Sequence, residues 1–391
     1  MEEEWSLLVR DTDLSLMGLV EEDTALEAVE RHLELGAWKV TVPADSPSAE
    51  LLRAGAGILL LDGDGNTLLS GPRRPLERDA DGEDDTLTIN GVTDTAAALA
   101  RTCWPDPATL IPGGSGATQA DAHFITSGPA ETVMRTLIDV NAGPSALAER
   151  RTPNLVLPAT QGRGASVTAK VRFDVLLESL WGIAETAGLG FRVIQRGADL
   201  VWEVYETTDR AAEVRFSTGL GTLGSYTYKV TPPEVTDAVV GIGGEDTSRR
   251  FYRFTRRDPL WPGLVVEEFL DQRNVDPAAD PADDDYVDPD EAAAQAADER
   301  LTEGAGKASV EFEPIATDAI RWGRDYWLGD TVTAETEIGD VTDVIREVTY
   351  TRSPDEGPRI IPSIGDAQDS PAIYKRVGQL RRDVNRLQTR R

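Results

Sequence analysis

Gly219-Leu220-Gly221-Thr222-Leu223-Gly224 has the letters of a dinucleotide-binding G-x-G-x-x-G. That chemistry needs a helix next, so that its N-terminus can hold a pyrophosphate. Ser225-Tyr226-Thr227-Tyr228-Lys229-Val230 follows instead, alternating at period two, and the glycines read as a loop between strands. Asp62-Gly63-Asp64-Gly65-Asn66 opens like a calcium loop, with acids at the first two ligand positions. Thr67 then stands where the loop needs Gly and Arg73 where it needs a bidentate Glu, so a hairpin turn is the better reading. Gly113-Gly114-Ser115-Gly116-Ala117-Thr118 has no Lys ahead of its Thr, which removes a P-loop and leaves a flexible interdomain loop. His32 and His123 are the whole histidine complement, too few for a multi-histidine metal centre and scant material for Ser-His or Cys-His catalysis. Cys103, the single cysteine, excludes an intrachain disulfide and C-x-x-C sites; beside Trp104 it reads as a small buried hydrophobe. Carboxylate pairs suited to glycoside hydrolysis can be drawn anywhere among 69 acids, so none is singled out. No catalytic, cofactor or metal residue is nominated.

Those 69 acids face 39 Lys and Arg, for a net charge of −30 over 391 residues. Binding driven by nucleic-acid phosphates, and sequence-specific nucleic-acid recognition with it, is a poor fit to that charge. Arg far outnumbers Lys, which fits a GC-rich genome; the acid excess suggests a salt-loving host, although a high-GC mesophile is also poor in Lys. No apolar run approaches the ~18 residues of a membrane span. The acidic start, Met1-Glu2-Glu3-Glu4-Trp5, is unlike a secretory signal, so a soluble protein without a membrane anchor is expected.

The elements that would position any site come in three blocks. Residues 1–110 read as short strands with tight turns, a small β-barrel or sandwich. They include Trp38-Lys39-Val40-Thr41-Val42 and a hairpin from Ile58 to Gly71, with helical turns expected over residues 25–33. Residues 111–210 read as α/β. One helix is expected over 131–140 and a stronger one over 173–184, where Phe173, Leu176, Leu177, Leu180, Trp181 and Ala184 share a face and Gly188 ends it. A hairpin turning at 196–199 follows. Residues 211–368 return to β, interrupted by an acidic insert near 271–307 in which seven of the twelve residues 280–291 are acidic. Glu291 to Leu301 reads as a helix, and Leu328-Gly329-Asp330 as a tight turn feeding the strand from Thr331.

The last block, 369–391, differs in kind. Ile373, Val377, Leu380, Val384 and Leu387 are spaced 4, 3, 4, 3, the a/d rhythm of a coiled coil. Seven Lys and Arg against Asp383 make residues 372–391 strongly basic in an otherwise acidic chain. So few heptads are unstable alone in water, so the helix implies a partner, either copies of itself or an acidic neighbour; packing on its own domain is the other reading.

In order and spacing, several segments resemble the tail-hub (baseplate hub, tail-associated) proteins of long-tailed viruses, above all the siphovirus tail-protein family of high-GC-host phages. They are Trp38 to Pro43 with the hairpin to Gly71; Gly188-Leu189-Gly190-Phe191-Arg192-Val193; Val204 to Arg210; Val239 to Glu245; Glu267 to Asp271; and Leu328 to Thr333. The resemblance spans roughly residues 5–350. It implies an α+β fold with two small β-barrel domains flanking α/β regions, a homotrimer presenting a pseudo-sixfold ring, and a non-enzymatic virion protein at the tail tip, made in the host cytoplasm. The partners it implies are a distal tail or tail-tube protein ring, the tape measure protein, and receptor-binding or fibre proteins, with no cofactor. Glycan-cleaving C-terminal extensions of some hub proteins have no counterpart in this sequence. A glycan-binding or glycan-hydrolysing tail protein is the alternative, and a contractile injection-system hub a third reading.

Overall fold

The computed structural model describes residues 5–365 apart from 22, 24, 75, 76, 80–84, 115, 245–248, 274, 276–287, 316, 318, 319, 338, 355 and 356. The candidate oligomerisation positions Ile373, Val377, Leu380, Val384 and Leu387 and residues 274 and 276–287 of the acidic insert lie outside the described residues. The chain forms two compact units, Met1–Thr227 with Val310–Arg391, and Tyr228–Ser309.

Strands dominate and helices are few. In the larger unit a four-stranded sheet has the order Leu16–Leu19, Ser6–Arg10, Gly57–Leu61, Thr67–Pro72. A longer sheet runs Lys307–Pro314, Gly357–Gly365, Gly339–Ser353, Ala25–Arg31, Ala37–Pro43, Thr86–Val92, Glu77–Asp79. N-terminal and C-terminal strands therefore share one sheet. The 15-residue strand Gly339–Ser353 makes this possible, pairing first with Thr331–Thr336 and further along with both Ala25–Arg31 and Gly357–Gly365. The strand orders are open, and among the described residues none closes into a barrel.

Residues 25–33, expected as helical turns, are instead the strand Ala25–Arg31. Ala, Leu, Glu and Arg favour helix locally, but Leu26 and Ala28 alternate inward, and flanking strands Ala37–Pro43 and Gly339–Ser353 satisfy the backbone on both edges. Tertiary pairing overrides a propensity worth only tenths of a kcal/mol per residue.

Helix α1 is Pro47–Ala54; the Ser46 side chain accepts from Ala49 N–H and Pro47 sits at the first turn. Helix α2 is Asp94–Ala98, α3 Ala130–Asn141 and α4 Leu176–Ala187. Helix α4 starts later than its apolar spacing suggested. Phe173 has φ 57° and is exposed, outside the helix, while Gly188 ends the helix as expected, at φ 63°. Helices α3 and α4 pack with the hairpin Leu189–Arg196 and Asp199–Glu206 in one core that includes Met134, Leu137, Leu176, Leu180, Phe191 and Trp202. The β region from 211 begins with the two-residue strand Arg215–Phe216, which pairs with Thr333 and Ala334.

In the smaller unit, Asp237–Ile242 pairs with Phe251–Thr255 and Glu267–Gln272. Helix α5, Pro289–Glu303, covers one face, burying Ala293, Ala297 and Leu301 against Ala238, Val240 and Ile242. Asp288 caps α5 by accepting from Asp290 and Glu291 N–H, so the last acids of the insert serve as a helix start.

Candidate functional site

The sequence motifs resolve as structure. Asp62 Oδ1 accepts from Asp64 and Asn66 N–H at 3.0 and 2.7 Å, closing the hairpin turn. Among the described residues no three His, Cys, Asp or Glu cluster to hold a metal. Gly219 to Gly224 runs directly into the strand Leu223–Thr231. Cys103 is fully buried, and that burial pushes its thiol up to about 11. His32 is buried too, whereas His123 is half-buried in the segment leading to the strand Phe124–Pro129.

Leu328-Gly329-Asp330 is more than a turn. Asp330, 4% exposed, accepts from Thr208 N–H, Trp327 N–H and Arg210 Nε, each at 2.9 Å. Thr331 N–H returns a bond to the Thr208 carbonyl at 3.0 Å, so this carboxylate ties the end of the α/β hairpin to the start of Thr331–Thr336. Gly329 has φ 90°, and a Cβ there would stand 2.8 Å from His32 Nδ1, so both backbone and space demand glycine.

Beside this latch, Arg192 bridges Glu30 at 3.3 Å and Glu203 at 3.0 Å, and Arg196 meets Glu203 at 2.9 Å. Burial raises the pKa of Glu30 against the pull of Arg192. Burial also opposes ionisation of Glu203, yet hydrogen bonding from Arg196 and the charge of Arg192 hold it below the ordinary range. Nδ1 of His32 is 3.2 Å from the Tyr205 hydroxyl; burial, reinforced by Arg346, lowers its pKa to about 4, so the ring is neutral at pH 7.

A cleft of about 350 Å³ opens next to this cluster, lined by Glu131, Gln161, Arg163, Arg192, Trp202, Glu203, Tyr205 and Trp327 among others. Its volume suits a small ligand. Glu131 is gripped by Arg163 Nη2 at 3.0 Å and by the backbone N–H groups of Gln161 and Arg163; these offset its burial and hold it below the ordinary carboxylate range. Both cleft carboxylates are thus kept ionised by arginines, and neither carries the proton a general acid needs at neutral pH.

A third cluster joins the four-stranded sheet to the α/β layer. Arg10 makes a two-pronged contact with Asp94 at 2.9 and 2.5 Å and donates to Gln195 Oε1 at 2.7 Å. The Ser70 hydroxyl donates to Asp94 at 2.6 Å and accepts from Gln195 N–H at 2.8 Å. None of these partners was legible beforehand except Asp330, marked by Gly-Asp ahead of a strand. Their neighbours on the page are far away in sequence.

The described chain is mostly β with a few helices, and buried ion pairs join its layers. The model of the Siphovirus ReqiPepy6 Gp37-like protein family matches residues 6–366, and the chain belongs to that family. Its structure is similar to the 43 kDa tail protein of prophage MuSo2 from Shewanella oneidensis, with 12% identity over 93% of this chain and 98% of that one, at a TM-score of 0.51. It is also similar to the tail protein from Neisseria meningitidis MC58, with 11% identity over 93% and 97% of the two chains and a TM-score of 0.49. A third similar structure is prophage tail protein gp18 from Listeria monocytogenes EGD-e, with 12% identity over 97% and 99% and a TM-score of 0.43. No curated protein sequence matches the chain. The resemblance to siphovirus tail proteins is borne out, and the fold is that of phage tail proteins.

Proposed function

We propose that the protein is a non-enzymatic tail hub: a homotrimer that caps the tail tube, anchors receptor-binding or fibre proteins, and opens for genome passage. The observation that carries this reading is the family match over residues 6–366, joined to a fold shared end to end with a prophage tail protein. On this reading, regions 1–110 and 211–368, whose strands meet in one sheet, each offer a similar β surface flanking the α/β region 111–210, so three subunits present six similar docking surfaces to a distal-tail or tube ring. The tape measure protein would end against the same ring. Residues 369–391 act as the oligomerisation helix, with Ile373, Val377, Leu380, Val384 and Leu387 in its seam. A net charge of −30 suits a channel wall past which DNA must slide without sticking, and a high-salt host would screen the self-repulsion. Light scattering after size exclusion, at high and low salt and with residues 372–391 present or deleted, tests the trimer. A trimer lost on deletion supports the reading, and a monomer under every condition contradicts it.

A glycan-binding role is the second reading, favoured by the cleft with Trp202, Tyr205 and Trp327 in its lining and by the buried Trp202 indole N–H, which has no hydrogen-bond partner among the described residues. Isothermal titration with host surface glycan checks it. Heat of binding abolished by Gln161→Ala supports it, and no heat excludes it.

A further inference from the structure

The four-stranded sheet treats its two edges in opposite ways. At one, Thr67–Pro72 is buried through Gly71, and its side chains bond across to Gln195: Thr67 Oγ1 donates to the Gln195 carbonyl at 3.1 Å and Ser70 Oγ accepts from Gln195 N–H at 2.8 Å. At the other, Leu16–Leu19 has no further strand beside it among the described residues, with Leu16 58%, Met17 41% and Leu19 44% exposed. Gly18 is backed by the Leu51 side chain of α1.

The register shows which backbone groups are free to pair. Val20 N–H donates to the Leu7 carbonyl at 2.8 Å, and Leu19 lies opposite Leu8. Hydrogen-bonded and non-hydrogen-bonded pairs alternate along an antiparallel ladder, so Leu19 directs its own N–H and C=O away from the sheet. A register irregularity at Val9/Arg10 falls beside Leu16 and leaves the Gly18–Val20 end regular. Of the devices that blunt open edges, this one has its four-residue length and the irregularity at Val9/Arg10, but Leu16-Met17-Gly18-Leu19 carries no Lys, Pro or inward charge. Exposed Asp13 and Glu21 stand at its two ends.

We infer that this edge receives an extended segment of a different protein by strand addition, and that the segment carries alternating apolar residues with Lys or Arg at its ends. Main-chain bonds to Leu19 would fix the segment, Leu16 and Met17 would cover its apolar side chains, and Asp13 and Glu21 would select its charge. A second copy of this chain is a poor occupant: antiparallel pairing of two such edges sets Asp13 against Glu21 and each end repels. The inference depends on the edge alone, whatever position the protein takes in a tail.

Fluorescence anisotropy on the full chain tests it with two labelled nonapeptides, Lys-Lys-Val-Thr-Val-Thr-Val-Lys-Lys and the same core flanked by Glu. The Lys-flanked peptide should bind saturably and the Glu-flanked one roughly tenfold or more weakly. The double variant Asp13→Lys, Glu21→Lys should reverse that order, and Leu19→Pro, which removes an outward donor without breaking a bond to Ser6–Arg10, should weaken binding roughly tenfold. Absence of saturable binding by the Lys-flanked peptide overturns the proposal. So does an unchanged order in the charge-reversed variant, which alters only exposed side chains, or full affinity in a Leu19→Pro protein with unaltered circular dichroism. Concentration-dependent self-association abolished by Leu19→Pro would assign the edge to a second copy and overturn it equally.

Discussion

Replacing Arg10 by Met removes one partner from a nearly dry ionic joint, since Arg10 is 3% and Asp94 2% exposed. The Asp94 carboxylate would keep only the Ser70 hydroxyl of its side-chain donors, and Gln195 Oε1 would lose the Arg10 donor. An uncompensated buried charge costs about 3–5 kcal/mol. Asp94→Leu strands the guanidinium instead and should cost a similar amount. The double variant Arg10→Met, Asp94→Leu strands neither charge. It gives up the Gln195 and Ser70 bonds at about 1 kcal/mol each, so it should lose only about 2 kcal/mol. The double is therefore expected to be more stable than either single, with a coupling of about 4 kcal/mol or more, read from urea unfolding followed by tryptophan fluorescence. Additive losses, or a single-variant loss below about 1 kcal/mol, would refute the claim that this joint is desolvated and fastens the N-terminal sheet to α2 and the α/β hairpin.

Three further outcomes are expected. His32 has a folded-state pKa of about 4 against about 6.5 unfolded, so below pH 6.5 the unfolded chain binds the extra proton. Stability should fall as pH drops from 6.5 to 4, by about 3 kcal/mol over the whole window, and His32→Gln should flatten that slope in unfolding curves at several pH values. Gly91 lies opposite Trp38, and a Cβ at 91 would come within 2.0 Å of the indole; Gly91→Ala should cost about 1–3 kcal/mol and shift the Trp38 environment in near-ultraviolet circular dichroism, whereas an unchanged melting curve would contradict the packing. Leu380→Asp places a charge in the seam proposed for 373–387 and should lower the mass seen by light scattering; unchanged mass would make that segment peripheral to assembly.

Elements whose signals are local were legible in the sequence. The hairpin Leu189–Arg196 and Asp199–Glu206 carries two apolar runs about a two-residue turn with Gly197 at φ 62°, and it forms where expected. Helix α4 is marked by its apolar stripe and its terminal Gly188. Ala25–Arg31 was not legible, because what makes it a strand is partnership with residues such as Glu347, paired with Arg31 across 316 positions of chain. Asp330 shows the same divide. Gly-Asp before a strand announces a turn, but the groups that make it a latch, Thr208 and Arg210, lie 122 and 120 positions upstream. The cleft was hidden for a related reason: its arginines and glutamates look like any others until folding pairs them.

The central claim, that this chain is a trimeric structural hub of a siphovirus-type tail, is tested most directly by cryo-electron microscopy of the tail tip of particles carrying the protein. The account predicts three copies at the end of the tail tube, each fitting the larger unit as described. A tip whose density holds no copy of this fold, or a tail assembled normally without the protein, would contradict it.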